Sequence, residues 1–214
     1  MSEMNQKYAE DLEAKEADPM VLCQLQIHDL QKQLEISRQE WNDLYGLLIG
    51  NMCDDDFAKM LSKERDYSRW CRLLSSAVAK YLVVMTVRDT PGKYMPDHVY
   101  KAILDAGFVN FERGLGYTYV GVIHKGKIWC DEGKHHDEPT RYSYESMDGS
   151  LSVQAFSESG DNGNRGEIFI NDRQLARNVK GVNIVVFDVK NNKLIDSVCF
   201  DGSVEGKVLF NRRD

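Results

Sequence analysis

Nowhere do the 214 residues hold an apolar run approaching the roughly 20 needed to cross a bilayer; Tyr81–Val87 is only strand length. The opening stretch has neither a basic region nor an apolar core, so no secretory signal is expected there. Positive charge is also in deficit, with 27 Lys and Arg against 34 Asp and Glu and a net charge of −7. Phosphate neutralisation needs a basic face, so a general nucleic-acid binder is not expected. Asn211-Arg212-Arg213 is too short to count as a basic run. The five cysteines, Cys23, Cys53, Cys71, Cys130 and Cys199, are odd in number, widely spaced and without a CxxC pair. A disulfide framework or a structural zinc site is therefore not expected. Reduced thiols fit a chain made in a cytoplasm, with Cys71 and Cys199 as small core hydrophobes. Catalytic signatures are missing too: there is no GxSxG, no HExxH and no glycine-rich loop ahead of a helix. Gly114-Leu115-Gly116 is too short to cradle phosphate. The expectation is a protein that is not an enzyme and needs no cofactor.

What is present is ordinary for a folded protein, at 42% hydrophobic and 29% charged residues, which excludes a largely disordered chain. Residues 1–17 are polar and mixed in charge, and a flexible or partner-ordered tail is expected there. Asp18-Pro19 reads as a helix start, with Asp as N-cap and Pro in the first turn. From there Met20, Cys23, Ile27, Leu30, Leu34, Trp41, Leu44 and Leu48 step by threes and fours, with Ser37 the one interruption. So narrow a stripe over about four heptads predicts a coiled-coil stalk at 18–52 that packs on another copy, as dimer or trimer. The alternative is one long helix lying on the chain's own domain, although such a helix usually shows a wider apolar face. Gly46 and Gly50-Asn51 predict a break or hinge.

Residues 53–214 read as a compact α/β (α+β) domain with a mixed or antiparallel sheet. The acidic Asp54-Asp55-Asp56 suits a helix N-terminus, and Phe57 to Val78 supplies one broad apolar helix face. Tyr81–Asp89 predicts a buried central strand. Met95-Pro96-Asp97 opens a helix that Gly107 closes. Tyr117–Ile123 and Lys127–Cys130 form a hairpin, and residues 131–150 are a polar, turn-rich connector. Strands follow in SLSVQAFSESG and before Asn171-Asp172. Val182–Asp188 and Leu194–Phe200 form a second hairpin, and KVLF adds an edge strand.

The stretch RGEIFINDRQLARNVKGVNIVVFDVKNNKLIDSVCFD resembles the ILEI/PANDER domain (interleukin-like epithelial–mesenchymal transition inducer domain). The matching positions are Gly181, Asn183, Asp188, Asp196, Phe200 and Asp201. A second block also resembles it: KYLVVMTVRD, a helix ending in Ala-Gly, and a hairpin with a Lys-Gly-Lys turn. The two blocks stand in the reverse of the family's order, so the sequence looks like a circular permutant, joined through 131–150. An exchange of segments between chains of an oligomer leaves the same trace. The resemblance implies a binding module, often for sugars, with no chemistry of its own.

A sugar site requires an aromatic face and planar polar partners. Tyr117, Tyr119 and Trp129 lie on or beside one hairpin, Glu112 and Arg113 precede it, and Tyr142 and Tyr144 follow. These form the expected glycan site, unless Tyr117 and Tyr119 simply pack in the sheet. The segment Cys130–Glu138, with His135 and His136, offers thiol, imidazole and carboxylate together. Adjacent histidines in extended chain point opposite ways, so a solvated loop is expected there and no metal. Together these features suggest an oligomeric attachment or decoration protein of a phage virion, whose tail meets a particle partner. The alternative is a structural virion subunit making protein contacts only.

Overall fold

In the computed structural model the apolar run beginning at Tyr81 becomes β1 (Leu82–Arg88), the strand around which the rest of the unit is arranged. The structure describes residues 19–50, 52–89, 94–135, 138–204 and 207–212. The expected tail at 1–17 lies outside these. The chain divides after residue 51 into two units.

The first unit contains α1 (Pro19–Gly50), a helix of 32 residues. At about 1.5 Å per residue such a helix is roughly 48 Å long. Of the glycines expected to weaken its end, Gly46 is carried within the helix and Gly50 is its last residue. One helical glycine costs only about 1 kcal/mol. Ile27, Leu30 and Leu34 are 50%, 65% and 52% exposed. The side chains of Met20, Cys23, Trp41, Leu44 and Leu48 fall outside the described ones.

The second unit opens with α2 (Asp54–Lys63) and α3 (Tyr67–Lys80), where one helix was expected. Asp66 makes the break. Its carboxylate accepts a hydrogen bond from the Arg69 backbone N–H at 2.9 Å, capping α3. After β1 come α4 (Asp97–Asp105), β2 (Thr118–His124) and β3 (Lys127–Lys134). Lys125 and Gly126, both at positive φ, turn the β2–β3 hairpin. Half of the expected connector is strand: β3 continues to Lys134, and β4 (Thr140–Glu145) pairs with β5 (Ser152–Ser157). Its polarity misled because β4 is an edge strand with most side chains exposed. Then follow β6 (Gly166–Ile170), β7 (Arg173–Gln174), β8 (Gly181–Asp188), β9 (Lys193–Val204) and β10 (Lys207–Arg212).

All pairings among the described strands are antiparallel, so the sheets are not mixed. One sheet has the order β10-β9-β8-β1-β2-β3, and the other β4-β5-β6-β7. They pack face to face. Leu82, Val84, Val122, Val185 and Phe187 of the larger sheet meet Val153, Ala155, Ile168 and Ile170 of the smaller. The opposite face of the larger sheet, with Val83, Met85 and Val186, is also buried, and α3 packs on β1 and β2. Both faces of β1 are thus dry, which explains why its sequence is continuously apolar rather than alternating. Ser157 stitches the sheets, donating to the Val87 carbonyl at 2.6 Å and accepting from the Tyr119 N–H at 2.9 Å. Gly181 sits at φ 98°, and an added Cβ would collide with the Phe200 carbonyl oxygen. That close approach of β8 to β9 demands glycine. No helix among the described residues is long and apolar enough to cross a membrane.

Candidate functional site

The β2–β3 hairpin separates the aromatic residues expected to form one site. Tyr119 points to the helix side of β2 and is fully buried, its ring edge-on to Phe111 at 5.4 Å. Its hydroxyl donates to the Asp131 carboxylate. Burial first, and then Asp131, push its ionisation far above the ordinary tyrosine range. Tyr117 is buried as well, stacked 6.3 Å from Tyr119 and donating to the Asn110 carbonyl. It occupies the space over Gly133, where any Cβ would strike its ring. Neither ring offers a face to a sugar.

Trp129 goes the other way. A bulge lies where Cys130 pairs with Val122 while Ile128 pairs with Ile123. Trp129 packs against the core between the sheets, in contact with His124 at 4.9 Å and Tyr144 at 4.7 Å. Tyr144 is 37% exposed. Burial, with Lys125 adding to it, pushes the His124 imidazole below the ordinary histidine range. Arg113 is engaged locally, donating to the Met95 carbonyl at 2.7 Å and the Asp97 carboxylate at 2.8 Å, with its guanidinium 4.4 Å from the Tyr100 ring centroid. Glu112 lies 3.4 Å from His135. The structure therefore brings Trp129 and Tyr144 together, and leaves Tyr117 and Tyr119 in the core.

A buried polar cluster joins residues that were not expected to meet. The Asp196 carboxylate, buried on β9, accepts from both Nε and Nη2 of Arg212 at 2.8 Å and from the Trp70 indole N–H at 2.8 Å. Arg212 also donates to the Leu61 and Glu64 carbonyls at 3.0 and 2.6 Å. One guanidinium thus joins β10, β9 and the end of α2. Every charge is matched and nothing is left to react, so this cluster holds structure. Glu158 is similar, buried between Arg165 and Arg141, whose hydrogen bonds hold its carboxyl below the usual range against the cost of burial.

Among the recesses on the surface of this unit are two lined by described residues. One, of about 480 Å3, lies between α2 and the β8–β9 hairpin, where Asp55, Lys59, Asp188 and Lys193 mix charges of both signs. The other, of about 410 Å3, lies beside the β4–β5 turn and is lined by Glu145, Gln154, Asn171, Asp172 and Asn192 among others. Among the described residues no group of three or more His, Cys, Asp or Glu is placed to hold a metal ion. The architecture is that of an α+β unit with two packed antiparallel sheets. No protein-family model, curated protein or solved structure matches the chain.

Proposed function

We propose that this chain is a non-catalytic, homo-oligomeric binding protein. In this reading α1 assembles copies into a coiled coil, and the folded unit recognises carbohydrate, as an attachment or decoration component of a phage particle. The observation that carries the reading is the exposure of Ile27, Leu30 and Leu34 at three- and four-residue spacing on a 32-residue helix. A narrow apolar stripe of this kind is covered when an identical helix packs on it.

Membership of the folded unit in an ILEI-like family, in permuted order, belongs to the same proposal. Two features support it. The blocks containing β1 and β8 pair directly, so either order along the chain builds the same sheet centre. The last described strand also lies beside the end of α2, just ahead of α3, with Arg212 donating to the Leu61 carbonyl at 3.0 Å, and such nearness is the condition for joining or reopening a chain cheaply at that point. The burial of Tyr117 and Tyr119 favours a second reading, a structural subunit that makes protein contacts only.

A glycan array probed with the full chain, and with a variant carrying Ile27→Gln, Leu30→Gln and Leu34→Gln, separates the two. Binding by the wild type that falls at least tenfold in the variant supports multivalent recognition, since linkage of sites raises apparent affinity by about 10²–10⁴. An oligomer that binds no glycan leaves the structural subunit.

A further inference from the structure

The outer face of the β4–β7 sheet carries a pattern of its own. Cross-strand partners share a side, so Ser143, Gln154, Phe169 and Gln174 form one row across the strands. Toward the strand ends the next row is Glu145, Ser152 and Asn171. Three turns close that end, contributing Ser150 from β4–β5, Asp172 from β6–β7 and Asn192 from β8–β9. Between them lies the recess of about 410 Å3. Ligand sites commonly enclose about 300–1,000 Å3.

The recess is preformed. The Asn171 Oδ1 accepts from the Ser152 N–H at 2.8 Å, and its Nδ2 donates to the Asn192 Oδ1 at 2.9 Å. Arg173 donates to the same Asn192 oxygen at 3.1 Å. The Asn192 carboxamide is thereby fixed, with its own Nδ2 left to donate. Asn171, Asp172 and Asn192 all sit at positive φ, a conformation that Asn and Asp tolerate better than most side chains. The side chains of Glu145, Gln154 and Asp172 are exposed and hold no hydrogen bond or ion pair among the described residues.

We infer that this recess binds a neutral oligosaccharide, an inference that rests on the carbohydrate reading above and gives it a location. Vicinal hydroxyls both donate and accept. Amides answer both needs, and carboxylates accept strongly from hydroxyls. No Lys or Arg lines the recess, and Glu145 and Asp172 repel an anionic ligand. Phe169, directly across from Gln154 on the same face, stands outside the recess lining and is half-buried, its ring edge-on to Phe156 at 6.1 Å. Neutral glycans are therefore expected to bind in preference to sialylated, sulfated and uronic-acid ones, even with the Arg173 guanidinium held 3.1 Å from the Asn192 oxygen.

The test is an array of neutral, sialylated and sulfated oligosaccharides probed with the full chain, followed by titration of the best neutral ligand. Gln154→Ala and Asp172→Asn change exposed side chains, and Asn keeps the turn conformation, so both variants should melt with the wild type. Each is expected to weaken the neutral ligand about tenfold, the effect of one lost hydrogen bond. Unchanged binding in both variants, or loss only in Trp129→Ala, overturns this location while the carbohydrate reading stands. A preference for anionic glycans overturns the ligand class. If the oligomer binds no glycan at all, the location and the carbohydrate reading fall together.

Discussion

Replacing Arg212 by Met should be among the most damaging single changes in the folded unit. The guanidinium is the only cation bonded to the Asp196 carboxylate among the described residues, and both side chains are buried, at 8% and 2% exposure. Methionine keeps much of the volume and removes the charge. Asp196 would retain the Trp70 indole N–H and the Ser197 backbone N–H, at 2.8 and 2.9 Å, but no opposite charge. The Leu61 and Glu64 carbonyls at the end of α2 would lose their donor as well. Stranding one partner of a buried pair costs about 3–5 kcal/mol. For a unit of this size each kcal/mol moves the melting point by about 2–4 °C, so a fall of roughly 6–20 °C is expected. Thermal melts followed by circular dichroism give the number. A cycle with Asp196→Asn and the double variant isolates the pair, because the double variant should be less destabilised than the sum of the single changes. A loss under about 1 kcal/mol for Arg212→Met, or strict additivity, would refute the placement of β10 and the burial of the pair.

Two further outcomes follow from the same kind of reasoning. Glu158 is held below the usual carboxylate range by Arg165 and Arg141, so its folded form is the more acidic one. The stability it contributes is present above the ordinary glutamate range and is lost as pH falls through the depressed folded value. Glu158→Gln should therefore cost about 1–3 kcal/mol at pH 7 and progressively less in acid; a cost independent of pH would contradict the arrangement. Among Cys53, Cys71, Cys130 and Cys199, only Cys53 is exposed, and burial pushes the Cys71 and Cys130 thiols up to about 12. Brief alkylation of the native protein at pH 8, mapped by peptide mass, should modify Cys53 and spare the other three. Modification of Cys71 at a similar rate would mean that α3 is not packed as described.

The parts of the fold that sequence discloses are those where one stretch of chain settles its own structure. The β8–β9 hairpin is such a case, with two apolar runs around Asn191-Asn192 and Asn192 at positive φ. Strand β4 was hidden because an edge strand needs only one neighbour and can remain polar. The helix break at Asp66 was missed because the apolar residues on either side, up to Leu61 and from Trp70, were joined into one face across a polar gap, although an Asp ahead of a helical run is a capping signal. At the hairpin, Tyr117 and Tyr119 look the same in sequence whether they serve a ligand or a core. The clue was Gly133, a strand glycine that marks close approach by another group and here lies under the Tyr117 ring. The polar recess carried no local signal, since its lining comes from three turns far apart in the chain. Arg212 looked like part of a weak basic tail, and its partner lies 16 residues away across a strand pair.

The most direct test of stalk-driven assembly is the mass of the full chain in solution, by light scattering on a sizing column, beside the Ile27→Gln, Leu30→Gln, Leu34→Gln variant. The expected result is a wild type at two or three times the 24.5 kDa chain, and a variant that sediments as the single chain with the folded unit's melting point unchanged. A wild type at 24.5 kDa across micromolar concentrations, or a variant that stays fully assembled, would contradict assembly through α1.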